Sequence, residues 1–170
     1  TFLHVADTHG SLARSGPRDA ALQGTAGGIA KAASVIGAAR MGDPNVIATH
    51  AGDAFVGDLT FQYSFGVAEL QLLQMLGFDA MAVGNHEFDF GPDVLAYALS
   101  TAYGAGTLPL LSANLDLSGK PELATWIQPS LLKDVGGVKV GFFGMTVPGI
   151  PQSRPAPVVI LGEGDPQALL

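Results

Sequence analysis

Gly84-Asn85-His86-Glu87-Phe88-Asp89 places an amide, an imidazole and two carboxylates directly behind an apolar run, Phe78 to Val83, that reads as a buried strand. A loop this polar, following so apolar a strand, serves as a helix cap, as a turn, or as a cluster of ligands for a cation. The flanking sequence decides between these uses.

Upstream, Val67 to Leu76 is apolar on most sides and is closed by Gly77, which predicts a mostly buried helix. Downstream, Gly91-Pro92-Asp93 is a helix start, with Pro where its missing N–H costs nothing. Val94, Leu95, Ala98, Leu99 and Ala102 then form the buried stripe. Further back, Asn45 to Ala51 is a strand that also ends in Gly and a carboxylate, Gly52-Asp53. A helix from Gly27-Gly28 to Met41, with Ile29, Ala32, Ala33, Ile36 and Arg40 at helical spacing, precedes it and is stopped by Gly42-Asp43-Pro44. Phe2 to Ala6 is the first strand, and Asp7-Thr8-His9-Gly10 follows it. Asp7 and His9, two apart on an extended backbone, point to the same side.

Successive strand, helix, strand units imply parallel strands whose C-terminal ends share one edge, the edge where open α/β sheets bind ligands. Asp7, His9, Asp53, Asn85 and His86 are therefore expected to converge, and five such groups call for a cation. Any one of them alone would pass as a cap or turn residue.

The remaining segments carry less chemistry. Ser11 to Thr25 reads as a loop, Phe55 to Phe65 as an irregular aromatic-rich stretch, and Leu108 to Leu115 as a further strand. Leu117 to Pro129 reads as a surface excursion in which the lone Trp126 packs. Asp134-Val135-Gly136-Gly137 suits a hairpin turn into Val138 to Gly144, so antiparallel pairing enters a mixed sheet system. Pro148 to Pro157 is read as a loop and Val158 to Leu161 as a last short strand. His4 and His50 are expected to be hydrogen-bonded structural histidines. Glu87 is expected to face away from the cation and cap or pair locally, and Asp58 and Arg154 to be solvated loop residues.

With 170 residues, 48% hydrophobic and 14% charged, the chain is one folded domain and not a disordered tail. Eight Lys plus Arg against fifteen Asp plus Glu leave no basic stripe, so a nucleic acid polymer is not an expected partner. No apolar run reaches the roughly 18 residues of a transmembrane span. The absence of Cys excludes thiolate ligands, a Cys nucleophile and disulfides, and leaves the compartment open. Thr1 opens directly into a strand-like run without a signal-peptide pattern, and Ala168-Leu169-Leu170 stops within what reads as the first turn of a helix, so a truncated chain is expected.

Asp7-Thr8-His9-Gly10, Ala51-Gly52-Asp53 and Ala82-Val83-Gly84-Asn85-His86-Glu87-Phe88-Asp89-Phe90-Gly91 resemble the N-terminal blocks of calcineurin-like metallophosphoesterases, specifically the 5′-nucleotidase family. The resemblance also covers Gly27-Gly28-Ile29-Ala30, Leu76-Gly77-Phe78-Asp79-Ala80, Leu111-Ser112-Ala113-Asn114-Leu115 and Val135 to Gly141, nearly the whole chain. It implies an α/β fold, the mixed-sheet αββα sandwich, of which residues 1–170 would be the N-terminal part. It implies a dinuclear centre with Asp7 and His9 on one metal, Asp53 bridging both, and Asn85 on the second. His86 is then a catalytic group over the phosphate and not a ligand, and Asp89 holds it. Two divalent ions roughly 3.5 to 4 Å apart clamp a phosphate and activate a water for in-line attack. Mn, Zn, Fe and Co all suit this donor mix. Family members add downstream His blocks and a C-terminal specificity domain, which this sequence does not contain, so the fragment itself is expected to be weak or inactive.

The expected activity is metal-dependent hydrolysis of a small phosphomonoester, with a 5′-nucleotide as the leading substrate class and a role in nucleotide catabolism. The resemblance also implies a periplasmic or extracellular location. Alternatives within the enzyme class are a cyclic-nucleotide phosphodiesterase and a nucleotide-sugar pyrophosphatase. The alternative from another class is a non-catalytic metal- or ligand-binding domain.

Overall fold

A computed structural model describes residues 1–13, 26–103, 108–147 and 159–160. In chain order its strands are β1 (Phe2–Val5), β2 (Ile47–His50), β3 (Ala80–Ala82), β4 (Leu110–Leu111), β5 (Leu115–Asp116), β6 (Ile127–Gln128), β7 (Ser130–Val135), β8 (Val138–Phe143) and β9 (Val159–Ile160). The helices are α1 (Ile29–Gly42), α2 (Leu59–Ser64), α3 (Val67–Met75), α4 (Pro92–Ala102) and α5 (Pro121–Ala124).

Five strands form one sheet in the order β1-β2-β3-β4-β6, and each neighbouring pair is parallel. The strands follow one another without a reversal of order, so right-handed crossovers place the connecting helices on the same side. The burial pattern agrees. Ala48, Met81 and Leu110, all fully buried, share one core cluster with Ile36 of α1, Leu70 and Leu73 of α3, and Leu95 and Leu99 of α4. Two antiparallel pairs complete the described structure: the hairpin β7–β8, turning at Gly136-Gly137, and β5 with β9. The mixed α/β architecture expected from the sequence is therefore present, with the parallel sheet as its centre.

The helices end where local chemistry stops them. Arg40, in the last turn of α1, donates from Nη1 to the Leu76 carbonyl at 2.7 Å and from Nη2 to that of Gly77. It thereby satisfies carbonyls freed at the end of α3. In α4 the expected stripe is in place, with Leu95, Ala98, Leu99 and Ala102 buried. Leu99 is 0% exposed, so Leu99→Ala should lower stability by about 3 kcal/mol through lost contacts and a residual cavity. Urea unfolding followed by circular dichroism measures this, and an unchanged midpoint would contradict the packing described.

Three expectations are corrected. The stretch Phe55 to Phe65 is not wholly irregular, because Asp58 caps α2 by accepting from the N–H of Thr60 at 2.8 Å and of Phe61 at 3.3 Å. Asp58 is thus a capping residue and not a solvated one. The run Leu108 to Leu115 is broken into β4 and β5, because Ser112 and Asn114 turn inward to a buried polar network with Thr146. The supposed excursion Leu117 to Pro129 contains α5 and the outermost strand of the main sheet, β6. Trp126 packs there against the core, 5.8 Å from the Tyr103 ring, as expected of a packing residue. Arg154 and the loop from Pro148 to Pro157 lie outside the described residues.

Candidate metal centre at the strand ends

The loops leaving β1, β2 and β3 meet at the C-terminal edge of the sheet. The first two run side by side: Asp7 N–H donates to Gly52 O at 3.1 Å, His9 N–H to Asp53 O at 3.0 Å and Gly10 N–H to Ala54 O at 2.9 Å. This arrangement forces Asp7, His9 and Asp53 into left-handed backbone, with φ of 52°, 45° and 56°. Each such non-glycine residue costs on the order of 1 kcal/mol or more, and such strain clusters at functional sites. The approach of the second and third loops requires glycine at Gly84, where a Cβ would lie 2.2 Å from Asp53 Oδ1 and 2.6 Å from Asp53 N.

Donor atoms of His9, Asp53 and His86 all lie within 4.8 Å of one another. The His9 and His86 rings stand 4.9 Å apart at 77°, edge to face. His9 Nδ1 is 3.1 Å from the Phe55 carbonyl, which only accepts, so Nδ1 carries the proton and Nε2 keeps a lone pair for a cation. The backbone N–H of His86 donates to Asp53 Oδ1 at 3.0 Å, which fixes one carboxylate oxygen. His86 Nδ1–H donates to Asp89 Oδ2 at 2.7 Å. Burial works against charge on His86, but the hydrogen bond to Asp89 and the carboxylates of Asp89, Asp53 and Glu87 outweigh it and raise its pKa. The His9 imidazole beside the Asp53 carboxylate is a donor pair that fits Mn, Fe, Co or Zn, with the His86 ring close by.

Of the residues singled out from sequence, His9, Asp53 and His86 are thus brought together, with Asp89 behind His86. Asp7 lies on the same loop as His9, but its carboxylate falls outside the 4.8 Å group. Asn85 precedes the short 3₁₀ turn His86–Phe88 and accepts the Phe88 N–H with its carbonyl at 3.0 Å.

Glu87 lies outside the donor group and pairs with backbone, as expected, but not only locally: it is 2% exposed and reaches back to the β2 loop. Its oxygens accept from the N–H groups of Asp53, Ala54, Phe55 and Gly84 at 3.0, 2.8, 3.2 and 2.7 Å. Burial pushes its carboxyl pKa up, while the N–H groups of Asp53, Ala54 and Gly84 pull it down.

His4 and His50 are structural, as expected. His4 Nδ1 lies 3.0 Å from Thr49 Oγ1. His50, 2% exposed, accepts the Gly52 N–H at Nδ1, so Nε2 carries the proton and donates to Thr8 Oγ1 at 3.0 Å. Burial, helped by His4 and opposed by Asp7, pushes its pKa down from 6.5 to about 4. Between those values the unfolded chain binds the extra proton and the folded chain does not, so stability falls as pH drops through that window. The loss should be roughly 3 kcal/mol. His50→Asn offers an acceptor to Gly52 without titrating, so it should flatten the stability profile between pH 4 and 6.5. Parallel slopes for the two proteins in denaturant titrations across that range would refute the assignment.

A calcineurin-like phosphoesterase signature spans residues 1–154. The chain is 35% identical over 173 residues to the trifunctional nucleotide phosphoesterase protein YfkN of Bacillus subtilis, covering 86% of this chain and 11% of that protein. It is 34% identical over 163 residues to the snake venom 5′-nucleotidase of Gloydius brevicauda, covering 92% of this chain and 27% of the relative. Among solved structures, the 5′-nucleotidase precursor of Thermus thermophilus superposes with a TM-score of 0.81 at 33% identity, over 94% of this chain and 31% of that one. The chain thus spans less than a third of the length of these relatives. The signature over almost the full length, and the relatives that share it, establish that the chain belongs to the calcineurin-like phosphoesterase family.

Proposed function

We propose that this chain supplies the N-terminal ligands of a catalytic domain that hydrolyses phosphomonoesters with divalent metals, with 5′-nucleotides as the substrate class. The observation that carries this reading is the meeting of His9, Asp53 and His86 at the ends of three adjacent parallel strands. In this reading Asp7, His9, Asp53 and Asn85 would hold the divalent ions. Ions bound there would supply Lewis acidity to a phosphoryl group and to an attacking water.

The protein's own groups then divide the work. His9 presents a neutral Nε2, because Phe55 O holds the proton on Nδ1. Asp53 Oδ1 is oriented by the His86 N–H but keeps a second lone pair, so both carboxylate oxygens can still ligate. His86 is a donor, not a ligand: Asp89 orients it and favours its charged form, so Nε2–H is aimed at charge that develops on phosphoryl or leaving oxygens. The 5′-nucleotidases among the relatives support the substrate class, and the snake venom relative supports a location outside the cytoplasm. No helix among the described residues is long and apolar enough to cross a membrane.

Phosphate release from 5′-AMP with Mn²⁺, abolished by a chelator, is the expected result for protein carrying this chain at the length of its relatives. Turnover of 3′,5′-cyclic AMP or a nucleotide sugar in its place would favour the diesterase or pyrophosphatase alternatives. Metal binding without turnover of any of them would favour a non-catalytic domain.

A further inference from the structure

Among the described residues, Glu87 is the fully buried carboxylate at the strand ends whose position the ligand assignments leave unexplained. The N–H groups of Asp53, Ala54 and Phe55 are consecutive, and with Asp53 left-handed they line a concave backbone nest of the kind that holds anions. Here the anion comes from the same chain. Oε1 takes Ala54 and Phe55, and Oε2 takes Asp53 and Gly84, so one side chain fastens the loop after β2 to the loop after β3. The link is reciprocal, because the Asp53 carboxylate in turn accepts the N–H of His86, the residue before Glu87.

We propose that Glu87 is a positioning residue of the centre: its carboxylate holds the strained Asp53 backbone and sets the placement of the Asp53 side chain relative to His86 before any cation arrives. The proposal rests on the metal-binding reading above. Both oxygens are needed. Gln at this position would turn an NH₂ toward two N–H donors, whereas Asp keeps both acceptors and shortens the reach by one methylene.

Cobalt(II) serves as the probe, with affinity and visible absorption bands read for protein carrying this chain at the length of its relatives and for its variants. Glu87→Gln should weaken Co²⁺ binding by about 10- to 100-fold and alter the bands. Glu87→Asp should recover part of the loss. Leu99→Ala, which destabilises through the core packing of α4 and touches none of the Glu87 hydrogen bonds, should retain the wild-type affinity and spectrum. Wild-type behaviour of Glu87→Gln, or an equal loss in Leu99→Ala, would overturn the positioning role. If wild type itself took up no more Co²⁺ than Asp53→Ala, the metal reading would fail and this proposal with it.

A measurement on the wild type stands even if Glu87→Gln does not fold. In the metal-free chain the amides of Asp53, Ala54, Phe55 and Gly84 should resist hydrogen exchange as well as those of β2. Protection that appears only on adding Co²⁺ would show that the metal, and not Glu87, orders these loops.

Discussion

In protein carrying this chain at the length of its relatives, Asp53→Ala should abolish turnover, by about 10³-fold or more, and on the proposed reading should disturb both metals at once. On the proposed reading the Asp53 carboxylate, with two anionic oxygens, would serve both cations, and Ala offers no donor in its place. The geometry adds a second reason for a large effect. Asp53 Oδ1 also accepts the His86 N–H, so truncation removes a ligand and releases the backbone from which the His86 ring projects. Metal analysis by mass spectrometry alongside steady-state kinetics checks this. A variant that kept full metal content and lost rate only modestly would deny Asp53 the bridging role.

His86→Ala should behave differently: a loss of roughly 10²- to 10³-fold in rate with metal content near normal. Its Nδ1 is committed to Asp89 at 2.7 Å and its pKa is raised, both of which suit a charged donor better than a neutral ligand. A variant emptied of metal would instead make His86 a ligand, as its closeness to His9 and Asp53 permits. The two substitutions together separate holding the metal from stabilising charge on the phosphoryl group.

The strand ends are legible in the sequence because their signals are local. Each of Asp7-Thr8-His9, Gly52-Asp53 and Gly84-Asn85-His86 follows an apolar run within a few residues, and parallel topology does the rest. Glu87 is not legible, because its loop partners Asp53, Ala54 and Phe55 lie 32 to 34 residues away and no periodicity encodes their backbone conformation. Helix α2 escapes a sequence reading because six residues show less than two turns of pattern, and its only start signal is Asp58. Strand β6 has two residues and no pattern at all; it joins the sheet by pairing with β4. The break between β4 and β5 is hidden for a related reason. Ser112 and Asn114 are polar, yet their partner Thr146 is 34 and 32 residues further on. What each case lacks in the sequence is a contact that exists only after folding.

The most direct test of the metal centre is an anomalous difference map from crystals soaked in Mn²⁺, recorded near the manganese edge. The expected result is a peak in contact with His9 Nε2 and an Asp53 carboxylate oxygen, with His86 Nε2 outside its coordination shell. A peak ligated by His86 but not by Asp53, or no peak at these strand ends, would contradict it.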